Sequence, residues 1–198
     1  MTLLVCLTVG AQAGIIFSSG FDGTPVPGGY TTIYSGPGGT LGPWTVVSGN
    51  VDWIRGYWQS ALGTSGSVDM SGNGPGVLST SLATIAGQAY DLSFYLAGNP
   101  DGGDGPRTIN VEVGNVDESF TFPGGQSEAS MGWVQETVAF VANGNDALTF
   151  TSLENTAYGP ALDQVTVSSA PEPSSCALVL IGLAGGIKLI RRRRKAVA

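Results

Sequence analysis

The sequence has no histidine and only two cysteines, Cys6 and Cys176, both inside apolar segments near the chain ends. With neither residue in the body between them, Ser-His-Asp and Cys-His nucleophilic sites are excluded there, as are the usual His or Cys zinc sites. No disulfide staples the body, so its own core must hold it. Basic residues are equally scarce. Six of the eight lie at or after Lys188, which leaves Arg55 and Arg107 against fourteen acids from Asp22 to Asp163, a formal charge of −12. A body so acidic repels phosphate backbones, and nucleic acid is not expected as a partner. Outside the ends no stretch sustains a 3.6-residue apolar period, which argues against amphipathic helices.

Glycine, by contrast, is abundant. Gly, Ser, Asn and Asp clusters punctuate short segments rich in β-branched and aromatic residues, a composition of strands and turns. Strands are expected at Gly14–Phe21, Trp44–Val47, Val51–Trp58, Ser67–Met70, Val77–Leu82 and Ala89–Ala97. Five more are expected at Thr108–Val113, Ser119–Phe122, Trp133–Val141, Ala147–Ser152 and Leu162–Val167. Tyr90, Leu92, Phe94 and Leu96 alternate with other residues, as do Ile109, Val111 and Val113, the period of a half-buried antiparallel strand. The fold class expected for residues 14–168 is therefore all-β, one two-sheet antiparallel sandwich of jelly-roll type.

The two ends differ from the body. Leu3–Val9 is apolar and Ala11-Gln12-Ala13 is an A-x-A cleavage pattern, so residues 1–13 are expected to be a secretory signal peptide cut before Gly14. No Lys or Arg precedes the apolar run, which suggests a truncated start. Residues 169–198 carry Pro171-Glu172-Pro173, an apolar run to Ile190 and the basic block Arg191, Arg192, Arg193, Arg194 and Lys195. About 20 apolar residues cross a bilayer, so Ser174–Ile190 makes a marginal single transmembrane helix, with the arginines holding the C-terminus in the cytoplasm. Pro171 and Pro173 keep Glu172 extended and accessible outside. This tail resembles the PEP-CTERM sorting signal of Gram-negative bacteria. The resemblance implies a membrane-anchored precursor, an exosortase as processing partner, and delivery to the cell surface or an extracellular, biofilm-like matrix.

The body resembles a family as well. Val51-Asp52-Trp53-Ile54 with Trp58, Ser67–Gly72, Ala97-Gly98-Asn99-Pro100, Trp133 and the closing Gly159-Pro160-Ala161-Leu162-Asp163-Gln164-Val165 are similar to the choice-of-anchor C proteins. These in turn resemble a plant cell-wall family with a galactose-binding-like β-sandwich. The resemblance implies a surface or matrix role without an assigned chemistry. In that pattern Asn usually follows the Asp, where this chain has Gln164.

Among the aromatic residues Trp44, Trp53, Tyr57, Trp58 and Trp133, flat faces for sugar rings are sought at Tyr57 and Trp58, which sit beside the polar Arg55 and Gln59. Trp53 and Trp58 differ by an odd number, so an unbroken strand would put them on opposite faces. Asn99, Asp101 and Asp104 place oxygens on a glycine-flexed loop that suits Ca²⁺, although turn preferences explain the same residues. Asp163 is expected on the side of Val165 and Val167, with a structural hydrogen-bonding role. No catalytic pair is selected among the carboxylates, and no enzyme is expected. Three readings of function remain: a module that binds carbohydrate such as exopolysaccharide, a purely structural matrix or adhesion protein, and a glycoside hydrolase. The first needs an exposed aromatic platform beside polar groups, the third a carboxylate pair in a cleft, the second neither.

Overall fold

Alternating segments fold as strands wherever one side chain in two can be buried. The computed structural model describes residues 13–170, and residues 14–169 form one unit with its own core. In chain order the strands are β1 (Ile15–Ser19), β2 (Tyr30–Tyr34), β3 (Thr40–Leu41), β4 (Trp44–Ser48), β5 (Asn50–Ile54) and β6 (Ser67–Asp69). They continue with β7 (Val77–Ser81), β8 (Ala89–Gly98), β9 (Arg107–Val113), β10 (Val116–Phe122), β11 (Val134–Val141), β12 (Ala147–Ser152) and β13 (Pro160–Ser169). One sheet has the order β11-β8-β13-β6-β5-β2, with β1 paired along the second half of β13; the other has the order β10-β9-β12-β7-β4-β3. Every pairing is antiparallel, so the body is an all-β, two-sheet sandwich.

The core lies between the sheets. Phe94 of β8 meets Phe150 of β12 edge-on at 5.2 Å and Phe120 of β10 at 5.4 Å. Trp44 is fully buried against Phe17, Phe21 and Phe150. Leu92, Leu96, Ile109 and Val111 fill the space between them, each contributing roughly 1.5–3 kcal/mol by leaving water. The expected alternation in β8 and β9 is therefore the observed one.

All eleven expected strands are present, together with β2 and β3, which the sequence did not announce. Strand β5 ends at Ile54, four residues before Trp58, so the parity argument for Trp53 and Trp58 does not apply. The last strand also departs from expectation. Asp163 faces Tyr95 and Val167 faces Leu92, with a register shift between Asp163 and Thr166. Gln164 sits in this β-bulge at φ 49°. Because the extra residue reverses the alternation, Asp163 lies on the outer face of its sheet, opposite Val165 and Val167.

The expected signal peptide, the Pro171–Pro173 motif, the transmembrane run and the Arg191–Lys195 block lie outside the described residues. Among the described residues no helix is long and apolar enough to cross a membrane.

Candidate functional site

The outer face of the first sheet is covered over β6 and β13 by three loops, and open over β2 and β5. Where the loops stop, a groove of about 220 Å³ is left, lined by Tyr30, Asp52, Tyr57, Asp69, Asn73 and Tyr158 among others. Tyr30, Thr32 and Tyr34 share one face of the edge strand β2, and at about 3.4 Å per residue Tyr30 and Tyr34 stand roughly 14 Å apart along it. Tyr30 and Tyr158 are 45% and 44% exposed. Tyr57 stands edge-on to Tyr30, ring centres 5.7 Å apart. Gly29 makes this approach possible, since at φ 78° a Cβ there would lie 2.7 Å from Tyr57 Cα.

The polar groups converge from separate elements. Asp52 of β5 and Asp69 of β6 are paired across the ladder and so face the same side. Asp69 is 1% exposed and accepts from Ser71 N (2.9 Å), Gly159 N (3.2 Å) and Asn99 Nδ2 (2.6 Å). Burial pushes its carboxyl up to about 8, against the pull of those donors, and the neighbouring Asp52 charge adds to the rise. Asp52 is half-buried, its pKa raised by desolvation and lowered by the Thr32 hydroxyl, which donates to Oδ1 at 2.5 Å. Gly72 keeps the floor open, for a Cβ there would lie 2.4 Å from Asn50 Oδ1 and 3.0 Å from Asp52 Oδ1. At one end Asn73 Nδ2 donates to Tyr34 Oη at 2.7 Å.

Of the two expected sugar-binding residues, Tyr57 forms a wall of this groove and Trp58 does not offer a platform. Trp58 is 5% exposed, packs in the core and donates Nε1 to Ser67 Oγ at 2.8 Å, so it is a floor residue held from below. Trp44, Trp53 and Trp133 are also turned inward or capped. Arg55 lies 3.8 Å over the Trp53 ring, and Trp133 donates to Gln59 O. The exposed aromatic surface is tyrosine. Sequence reasoning missed Tyr30, Tyr34 and Tyr158 because it sought tryptophan and placed no strand at 30–34.

The loop expected to suit calcium is braced by contacts of its own. Asn99 spends Oδ1 on Asp101 N (2.9 Å) and Nδ2 on Asp69, and Asp101 Oδ2 accepts the Tyr57 hydroxyl at 2.7 Å. The loop carbonyls of Gly102, Gly103, Gly105 and Pro106 all accept from the guanidinium of Arg107, which is 7% exposed. A built-in cation therefore takes four of the carbonyl oxygens of this loop. Among the described residues no group of three His, Cys, Asp or Glu is placed to hold a metal ion. Asp163 does act structurally, accepting from Ala61 N (2.9 Å), Thr64 Oγ1 (3.2 Å) and Gln164 N (2.7 Å), while burial pushes it up to about 7.

Residues 15–168 match the sequence profile of the family described as "Protein of unknown function (DUF642)". The chain belongs to that family. Halomucin of Haloquadratum walsbyi is 32% identical over 155 residues, which are 74% of this chain and 2% of Halomucin. Among solved structures the DUF642 body is similar to the CBM22-1 xylan-binding domain of Paenibacillus barcinonensis Xyn10C, with a TM-score of 0.49 and 17% identity over 78% of this chain and 94% of that one. It is also similar to a family 35 carbohydrate binding module of Clostridium thermocellum, with a TM-score of 0.45 and 15% identity over 81% of this chain and all of the other.

Larger hollows lie elsewhere on the body, and one of about 300 Å³ has Phe21 and Trp53 beside Asp22 but no tyrosine. One of about 480 Å³ beside the β9–β10 turn is lined by Glu112–Asp117, Asn143, Asp146, Ala147 and Thr149, with no aromatic ring.

Proposed function

We propose that the body is a non-catalytic module that binds carbohydrate in the tyrosine groove on the outer face of β2 and β5. One observation carries this reading. Tyr30, Tyr57 and Tyr158 supply rigid rings for the apolar faces of a sugar, while Asp52, Asn73 and Thr32 supply edge-directed polar groups at the same depth. The groove is open along an edge strand, which suits a chain-like ligand better than a single small molecule.

Within the groove the hydrolase reading would rest on the pair Asp52–Asp69, which are opposite each other on the ladder, and the support is weak. Asp69 has both oxygens occupied by three donors and is buried, so it has no free position from which to pass a proton to a glycosidic oxygen. In the proposed function, residues 169–198 act as a sorting signal cut by an exosortase, which delivers the body to the cell surface or extracellular matrix. The order Pro171-Glu172-Pro173, apolar run, basic block supports it.

The test is a glycan array on residues 14–169, followed by titration calorimetry with Tyr30→Ala and Tyr57→Ala. Binding that both substitutions weaken supports the reading. Binding indifferent to them, with the fold intact, moves the site elsewhere.

A further inference from the structure

Resting on the carbohydrate reading of the groove, we infer that its ligand is a polymer of sugars bearing free amino groups, which places an ammonium against Asp52. The groove's fixed charges are all negative. Asp52, Asp69 and Asp101 line it, and the only other titratable groups facing it are the phenols of Tyr30, Tyr57 and Tyr158. Neither cation of the described residues reaches in. Arg55 belongs to the opposite face of β5, stacked on Trp53 and donating to Thr31 Oγ1, and Arg107 is consumed by loop carbonyls.

The placement of Asp52 has a desolvation cost that a cation relieves. Burial pushes the Asp69 carboxyl up to about 8, so near neutral pH it is largely protonated and Asp52, directly opposite it on the ladder and half-buried, is left as the unpaired charge of that rung. Asp69 is saturated by protein donors. Asp52 has Thr32 as its single protein donor, so its remaining acceptor positions open into the groove. A ligand ammonium there makes a charge-assisted bond, about twice as strong as a neutral one, whereas a hydroxyl leaves the Asp52 charge without a counter-charge. An anionic sugar meets the carboxylates of Asp52 and Asp101 and no counter-charge. The whole body, two arginines against fourteen acids, attracts the same polycation at longer range.

The experiment compares a fully de-N-acetylated glucosamine oligomer with its N-acetylated counterpart on residues 14–169 by calorimetry. The expected result is about tenfold tighter binding of the amine form, a gap of about 1.4 kcal/mol. Salt should erode that preference, and Asp52→Asn should abolish it, bringing the two oligomers to equal affinity. Glu118→Gln, an exposed change on the other sheet, controls for net charge and should leave the preference intact. Equal binding of both forms, or a preference that Glu118→Gln erodes as much as Asp52→Asn, overturns the inference and leaves the carbohydrate reading standing. If Asp52→Asn does not fold, the salt titration of the unaltered protein decides: a preference unmoved by salt overturns the inference. A rise in melting temperature with CaCl₂ alone, lost in Asp52→Asn, also overturns it by assigning the carboxylate to a metal. If no glycan binds at all, the underlying reading fails.

Discussion

Tyr57 donates its hydroxyl to Asp101 Oδ2 at 2.7 Å, joining loops 44 residues apart in sequence and closing one wall of the groove. The bond pushes the Tyr57 phenol up to about 12, so it stays a donor at any physiological pH. Tyr57→Phe keeps the ring and removes the tie. The expected loss of stability is small, about 0.5–1 kcal/mol in chemical denaturation, because the bond is exposed. Hydrogen exchange of the 100–106 loop should rise measurably.

Trp58 and Tyr30 should separate stability from binding. Trp58→Ala leaves a core cavity and an unpaired Ser67 hydroxyl, for an expected cost of about 3–5 kcal/mol in denaturant unfolding. Tyr30→Ala, on an exposed strand face, should change stability by less than about 1 kcal/mol and weaken glycan binding by about 1–3 kcal/mol. A stable Trp58→Ala body would show that the ring is not part of the core.

Arg107→Met should cost about 2–4 kcal/mol, since four loop carbonyls lose a charged donor. Calcium is expected to leave the melting temperature of the unaltered body where it was. A rise of several degrees would restore the calcium reading of Asn99, Asp101 and Asp104.

The buried carboxyls predict how stability depends on pH. Asp69 and Asp163 are pushed up to about 8 and about 7, well above their unfolded values, so the folded state binds protons that the unfolded state has already released. Their contribution is complete below about pH 4 and is lost as pH rises through 7 to 8. The melting temperature should fall across that window. Asp69→Asn should flatten the fall while lowering stability throughout, because its amide would face the Asn99 amide donor to donor. A melting temperature that rises from pH 4 to 8 would contradict both shifts.

Gln164 occupies a left-handed position at φ 49°, where Asn is tolerated far better than other side chains. Gln164→Asn should stabilise the body by about 0.5–1 kcal/mol, measured by thermal or denaturant unfolding.

The sandwich was legible wherever burial of one face imposed period two, as at Tyr90–Leu96 and Ile109–Val113. It was not legible at Tyr30–Tyr34, whose alternate side chains face solvent on an edge strand and leave no apolar imprint. Tyr57 was singled out for its polar neighbours and lines the groove, whereas Trp58, singled out with it, is buried, because large aromatic rings look alike in sequence whether they fill a core or cover a surface. The pairing of Asp52 with Asp69 depends on a ladder register between strands 12 residues apart, which spacing alone does not determine. Nor does composition reveal that the side chain of Arg107 turns back to occupy a loop built like a cation site.

The first and last strands lie side by side, with Ile15 opposite Ser168 and Gly14 bonded to Ser169 at the outer end of the ladder. Tension applied through those two ends loads the β1–β13 pair one rung at a time, the unzipping geometry, instead of shearing all its rungs together. A module held in a stretched matrix would thus yield first by peeling away β1, while β2 and β5, which form the sides of the groove, lie elsewhere in the sheet and bear no direct load.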